Sequence, residues 1–263
     1  MKQFDLVTDE KIKSQLNTKL IGQEIYAFWK IGSTNTFARQ RALHDAPEGT
    51  VVIAEEQTQG RGRMTRQWES QFGKGLWFSV ILRPQDVSPK AGLYTFLAGV
   101  SVAEAVEQLC GLRPELKWPN DLLLNGKKFC GILSEADFQN GHIRHVILGI
   151  GINVDHKQED LPNSISESAT SIRIESNWRL DRVKLLITVL KRMEKNYELI
   201  QTKGFDPILK TWKSYCPRLS KQIKVRQEHT IYEGIFQDLD EHGCMLLKTN
   251  DGQMRKIVAG DFA

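Results

Sequence analysis

Nine residues, Gly60 to Trp68 (GRGRMTRQW), set Arg61, Arg63 and Arg66 beside two glycines and close on an aromatic ring. Guanidinium groups make charge-assisted, fork-shaped hydrogen bonds to phosphate or carboxylate oxygens. The glycines permit unusual backbone angles and close approach of a ligand to the main chain, and Trp68 offers a flat face for a base. A solvated charged hairpin is the plain alternative. A nucleic-acid loop would carry interleaved aromatics, and an import tag a longer basic run. A second constellation, KWPNDLLLNGKKFCGIL from Lys117 to Leu133, puts Asn120 and Asp121 at a turn after Trp118-Pro119. There an amide and a carboxylate could hold phosphate-bridging magnesium. Lys128 follows the next turn beside Lys127, and one of the pair could point inward to a phosphate. Taken singly, an Asn-Asp turn is more often structural, and paired hairpin lysines are usually solvated. A third stretch, LGIGIN from Leu148 to Asn153, allows close ligand approach at its glycines and sets a neutral donor and acceptor, Asn153, at a strand end. It lacks the third glycine and the following helix of a dinucleotide fingerprint. The chain also has no P-loop and no G-x-S-x-G elbow. His142 and His145 fall on opposite faces of an apparent strand, which argues against a metal site there.

The elements that must carry these residues follow from periodicity. Thr8 to Leu20 has helical spacing, with Thr8 as cap and Gly22 as stop. Glu24 to Lys30 reads as a strand, Ser33 to about Leu43 as a helix with good capping residues, and GTVVIAEEQ as a strand that runs into the arginine loop. GLWFSVILRP is a further strand ending at Pro84. Ser88 to Leu109 repeats its apolar residues at helical spacing, with Gly111 as stop. From Glu115 to Val154 the pattern predicts three strands joined by tight turns, with Asn125-Gly126 and Asn140-Gly141 as type I′ signals. Pro162 to Ser168 is a polar loop; helices follow from Leu180 to about Thr202 and near Phe205 to Tyr215. After Pro217, four or five short strands make a small β-barrel module. Two-residue turns cannot make parallel crossovers. The predicted fold is therefore α+β, a mixed or antiparallel central sheet flanked by helices, with domains at residues 1–216 and 217–263.

With 263 residues and a net charge of +4, the chain suits one sizeable core plus a module and an anionic small ligand. That charge is too weak to imply a nucleic-acid partner. The four cysteines are far apart with no C-x-x-C pair, so reduced core thiols are expected. The N-terminal stretch MKQFDLVTDEKIKSQL is too charged for a signal peptide, and no apolar run reaches membrane-spanning length. A cytoplasmic protein without a membrane partner is expected.

Taken together and in order, STN at Ser33 to Asn35, EEQTQGRGRMTRQW at Glu55 to Trp68, KWPNDLLLNGKKFCGIL and LGIGINV resemble the motif series of bacterial biotin protein ligases. The resemblance runs from about residue 20 to the C-terminus. It implies a class II synthetase-like catalytic domain and a C-terminal SH3-like β-barrel. It also implies a two-step reaction: biotin and Mg-ATP give biotinyl-5′-AMP, then a lysine of a biotin carboxyl carrier domain attacks the mixed anhydride. Carried over by position, Ser33, Thr34, Asn35 and Gln57 would serve the biotin ureido ring and its neighbours. Gly60, Arg61, Gly131 and Gly149 would line the rings and valeryl chain. Arg63 would hold the carboxylate and adenylate phosphate with Arg66 assisting, and Lys128 would bridge carboxylate and α-phosphate. Asn120 and Asp121 would serve the triphosphate, Asp121 being the magnesium ligand. Lys128, Arg63 and Asp121 would be the catalytic set. Asn153 would sit near phosphate and ribose, and Trp68 and Ala169 would flank adenine. The loop from Asp155 to Ser171 has no aromatic, so Leu161 or Ile165 would cover the base. About twenty residues precede the Gly22 region, too few for the DNA-binding domain of many relatives, so no operator binding is expected. Relatives occur as monomers or as homodimers paired sheet edge to edge. The rival readings are a lipoate or octanoyl ligase and a biotin sensor without turnover.

Overall fold

The computed structural model describes residues 6–85, 88–228 and 230–262. The first five residues of the charged N-terminal stretch, and Ala263 of the terminal module, lie outside that description. In chain order the first part comprises α1 (Asp9–Lys13), β1 (Ile25–Ile31), α2 (Thr34–Leu43), β2 (Val51–Gln57), β3 (Gly75–Leu82), α3 (Tyr94–Cys110), β4 (Glu115–Lys117), β5 (Asp121–Leu124), β6 (Lys127–Gln139), β7 (His142–Asn153), α4 (Ile172–Ser176), α5 (Arg182–Lys203) and α6 (Asp206–Ser214). Its seven strands form one sheet in the order β1-β2-β3-β7-β6-β5-β4. Only β1 and β2, joined through α2, run parallel; every other neighbour is antiparallel. The mixed sheet expected from the short turns is the one found.

Alternation decides what each face does. Along β7, Leu148, Ile150 and Ile152 enter the main core, which α3, α5 and α6 cover. The intervening Gly149, Gly151 and Asn153 point to the other face, where α2 packs with Ala38 and Ala42 on Val52, Ile81 and Ile147. Helix α2 is short and covers only one end of that face. Beyond its N-terminus the sheet is floored by glycine backbone.

Two expectations are corrected. The helix predicted from Thr8 to Leu20 keeps its Thr8 cap but stops after Lys13. The Lys19, Leu20 and Ile21 N–H groups donate instead to the Glu194 carboxylate of α5, at 2.7, 2.7 and 2.8 Å. A side-chain acceptor replaces the helical carbonyls, so the helical spacing is spent on packing rather than on a longer helix. Between Glu115 and Val154 there are four strands, not three, because a turn at the cis Trp118-Pro119 bond separates β4 from β5.

The C-terminal part comprises β8 (Gln222–Gln227), β9 (Thr230–Leu239), β10 (Met245–Thr249), β11 (Met254–Ile257) and β12 (Asp261–Phe262). They form an SH3-like antiparallel sheet in the order β11-β10-β9-β8-β12. Phe236, Leu239, Met245 and Leu247 share the main core with α3 and α6, so both sheets are sealed on one apolar mass. Trp118 Nε1 donates to the Gly243 carbonyl at 3.0 Å across the seam. Gly243 has φ +75, and a Cβ there would stand 2.5 Å from the Phe96 ring.

Candidate active site

The open end of the α2 face is a cavity of about 510 Å³, within the range of roughly 300–1,000 Å³ usual for small-molecule sites. Its floor is bare backbone: Gly131 of β6 pairs with Gly151 of β7, and Gly149 lies one step along the same face opposite Leu133. No side chain fits here. A Cβ on Gly149 would lie 1.9 Å from Asn35 Oδ1, and one on Gly151 2.5 Å from the Trp68 indole. This explains the LGIGIN pattern: glycines face the cavity while Leu and Ile between them face the core.

One end of the cavity is a neutral hydrogen-bond network set by the N-terminus of α2. Gln57 Oε1 accepts from the Thr34 N–H (2.8 Å) and hydroxyl (3.0 Å), and Gln57 Nε2 donates to Ser70 Oγ at 2.9 Å. Ser79 donates to Asn35 Oδ1 at 2.6 Å. Ser33 occupies the capping position of α2 but makes no side-chain cap bond, so its hydroxyl is left to the cavity. Ser33, Thr34 and Asn35 are all buried.

The other end is charged. Lys128 reaches this face through a β-bulge: Leu122 pairs with Cys130 and Leu123 with Lys128, leaving Phe129 as the extra residue. Phe129 and Cys130 both turn into the core, which puts Lys128 on the same side as Gly131. Its ammonium lies 2.6 Å from Asp121 Oδ1 and 5.2 Å from the centre of the Trp68 ring. Lys127 does not line the cavity. The segment through Ala169 forms a parallel bridge beside Lys128, with Lys128 N–H donating to Ser168 O at 2.8 Å. Asn153 Nδ2 donates to Thr170 O at 3.1 Å and so anchors this segment while lining the cavity.

The arginine loop is a miniature hairpin. Arg61 bridges to Gln67, Trp68 N–H donates to Gly60 O, and Gly62 N–H donates to Arg66 O at 2.7 Å. The expectation that its glycines supply unusual angles is corrected: the left-handed residues are Met64 (φ 52) and Thr65 (φ 62) at the tip. Gly60 instead lets the two arms close, since a Cβ there would be 2.2 Å from Trp68 O. Gly60 itself is not among the lining residues.

Each arginine meets a partner that sequence inspection missed. Glu135 of β6 receives Arg61 through both oxygens, at 2.9 and 3.1 Å, and also accepts from Asn35 Nδ2 at 2.9 Å. Arg63 donates to Asn120 Oδ1 at 2.9 Å and lies 3.6 Å from Asp261 of β12; Arg66 lies 2.7 Å from the same carboxylate. Asn120 is itself fixed to β6, donating to Ile132 O at 2.8 Å. Of the two aliphatic residues expected over adenine, Ile165 lines the cavity, whereas Leu161 is buried and does not. Six basic side chains line the cavity against three acidic ones. Burial, together with the charges of Arg218 and Lys128, depresses the Lys117 pKa, offset in part by Asp121 and Asp261. Among the described residues no cluster of three or more His, Cys, Asp or Glu is placed to hold a metal on its own. A triphosphate-borne magnesium needs only one or two protein carboxylates, and Asp121 fits that limited role.

The sequence pattern of the Biotin/lipoate A/B protein ligase family matches residues 28–153, and that of the Biotin protein ligase C terminal domain matches residues 219–263. The bifunctional ligase/repressor BirA of Bacillus subtilis is 38% identical over 256 residues, covering 97% of this chain and 78% of that protein. The biotin–[acetyl-CoA-carboxylase] ligase of Paracoccus denitrificans is 31% identical, with 77% of this chain and 85% of that protein aligned. Among solved structures, the Aquifex aeolicus biotin protein ligase in complex with biotin and ATP superposes with a TM-score of 0.78 at 31% identity, covering 92% of this chain and 98% of that one. A glycine-floored cavity with a neutral polar end and a cationic end, on a chain with these relatives, settles the family: the chain belongs to the biotin protein ligases.

Proposed function

We propose that the chain forms biotinyl-5′-AMP from biotin and ATP and then transfers biotin to a lysine of a biotin carboxyl carrier domain. One observation carries this reading: a bare-backbone floor runs from the Thr34–Gln57 network to Lys128 and Arg63. A flat ligand with a polar ring at one end and a carboxylate at the other matches that layout. Ser33, Thr34 and Gln57 take the ureido group, with Asn35 held against the floor. Gly131, Gly149 and Gly151 lie under the rings and chain, and Lys128 and Arg63 meet the carboxylate and α-phosphate. In the first step a carboxylate oxygen bonds to the α-phosphorus and the bond to the bridging oxygen breaks, releasing pyrophosphate. Two anions must approach, and preorganised cations offset the repulsion and the charge developing in the transition state. Asp121 would hold a triphosphate-borne magnesium ion, which would supply further charge neutralisation there. Arg66, Asn153, Trp68 and the Ala169 segment take the adenylate. In the second step the carrier lysine attacks the acyl carbon and AMP leaves, with the hairpin excluding water.

The division at residue 217, with the SH3-like part as a separate module, belongs to the same reading. So does a cytoplasmic location: ATP is the co-substrate, the four cysteines are unpaired, and among the described residues no helix is long and apolar enough to cross a membrane. Operator binding is not part of it; specific retention of a biotin-operon operator in a gel shift would overturn that point. Strand β5 pairs with β6 only as far as Gly131, so the outer half of β6 has an open edge that supports a homodimer. Sedimentation with and without biotin and ATP tests it. The central test is isotope exchange between pyrophosphate and ATP with biotin or lipoate. Exchange with biotin is expected. Exchange with lipoate alone would make the chain a lipoate ligase, and exchange with neither a sensor.

A further inference from the structure

A carboxylate just outside the cavity ties its neutral end to its cover. Glu135 follows Gly131 and Leu133 along one face of β6, beyond Gly131, where pairing with β5 ends. Glu135 does not line the cavity, whereas its partners Asn35 and Arg61 both do. Arg61 presents two nitrogens to it, Nη2 at 2.9 Å from Oε1 and Nη1 at 3.1 Å from Oε2. Oε2 also accepts from Asn35 Nδ2 at 2.9 Å. The same Nδ2 donates to Leu133 O at 3.3 Å, and Asn35 Oδ1 accepts from Ser79. The Ser79 hydroxyl lies 2.9 Å from that of Thr34, which donates to Gln57. Both ends of the Asn35 amide are therefore engaged within the protein. One polar path runs from Gln57 through Thr34, Ser79, Asn35 and Glu135 to the arginine hairpin.

We infer that Glu135 is a positioning residue of the reaction: its one carboxylate fixes both the N-terminal turn of α2 and the first arm of the hairpin. The ring end of the cavity and its cover thereby share one register. The inference rests on the ligase reading and extends it to a residue outside the cavity wall. Stability is not what the pair supplies. The Arg61 side chain is 45% exposed and that of Glu135 24%, and pairs so open to water contribute little. A planar fork on a carboxylate, by contrast, fixes direction as well as distance. Glu135 acts through Asn35 and Arg61 and needs no contact with either substrate.

Glu135→Gln separates the two contacts. Its amide oxygen can stay on Asn35 Nδ2, but its NH2 group then faces Arg61 Nη2, donor against donor. The fork is lost and the Asn35 bond is kept. Without a carrier domain, biotin-dependent AMP formation reports water hydrolysing biotinyl-5′-AMP to biotin and AMP. In Glu135→Gln this rate should rise about three- to tenfold while KM for biotin moves less than about twofold. Glu135→Ala loses both contacts, so KM for biotin should rise about three- to tenfold as well. Arg61→Ala should raise AMP formation as far as Glu135→Gln does, and the double variant no further, because both remove one contact. Identical constants for Glu135→Gln and Glu135→Ala would overturn the positioning role, and additive effects of Arg61→Ala and Glu135→Gln would overturn the fork. If the unsubstituted protein shows no biotin-dependent exchange, the ligase reading fails alone. Amide hydrogen exchange at Gly62 and Trp68, whose N–H groups close the hairpin, then decides without turnover. Equal acceleration in Glu135→Gln and Arg61→Ala, with none added by combining them, supports the inference; unchanged rates would overturn it.

Discussion

Lys128 is the residue on which charge and geometry converge. It pairs with Asp121 at 2.6 Å and stands over the Gly131 floor beside Trp68. Lys128→Ala should reduce biotin-dependent pyrophosphate exchange by about 10²- to 10³-fold, the usual loss when a preorganised charge is removed. The thermal midpoint should move by only a few degrees, because the ammonium is partly exposed. Equal loss of stability and activity would make the lysine structural. Gly149→Ala tests the floor: its Cβ would collide with Asn35 Oδ1 and displace Asn35 from Glu135 and Ser79. KM for biotin should rise about tenfold, because the polar end loses its geometry; an unchanged KM would remove Asn35 from that end. Basic and amide residues of the site were legible in sequence because their motifs are dense. Glu135, Asp261 and Arg218 were not. A lone charge in a strand or after a turn looks solvated until folding brings it 74 or 195 positions across the chain to an arginine.

Among the elements, the arginine hairpin shows the most backbone tension. Thr65 adopts φ 62, where a β-branched residue is disfavoured and asparagine is tolerated. Thr65→Asn should stabilise the hairpin by up to about 1 kcal/mol, read as about fivefold slower amide exchange at Gly62 and Trp68. Faster exchange would show that the tip is not where the strain lies. Elements with a clear repeat, such as α3 and α5, were evident from apolar spacing, and β7 from its Asn-Gly turn. Helix α1 was overestimated because Leu16 and Leu20 pack on the core without helical backbone. The bulge at Phe129 was invisible, since nothing in KKFCG distinguishes a regular strand from one with an extra residue. That single residue decides which lysine enters the site.

For the whole molecule, acid stability follows from a buried imidazole. His156 is 4% exposed and packs edge-on against Trp77 at 6.0 Å. Burial lowers its pKa to about 4, with Lys74 lowering it further and Asp160 and Asp155 opposing. The fold therefore prefers the neutral ring, while an unfolded histidine takes a proton near pH 6.5. This contribution is present in full above that pH and is lost progressively between pH 6.5 and about 4, to a total of about 3 kcal/mol. Denaturant unfolding at pH 7 and pH 5 should show a smaller difference for His156→Gln than for the unsubstituted chain. Parallel losses would assign acid sensitivity elsewhere. The architecture was legible from the turn signals, but the seam was not. Only packing of both sheets on one core places Gly243 under Trp118 and Asp261 beside the arginines.

The arginine hairpin is fastened by Arg61 to Glu135, Arg63 to Asn120 and Arg66 to Asp261, and water reaches the two ion pairs of Arg61 and Arg66. Fasteners of this kind weaken as electrolyte screens them over about 8 Å at physiological salt. The medium thereby becomes a dial on how long an activated acyl group stays sheltered. In concentrated salt the protein should leak its intermediate to hydrolysis even while its core remains intact.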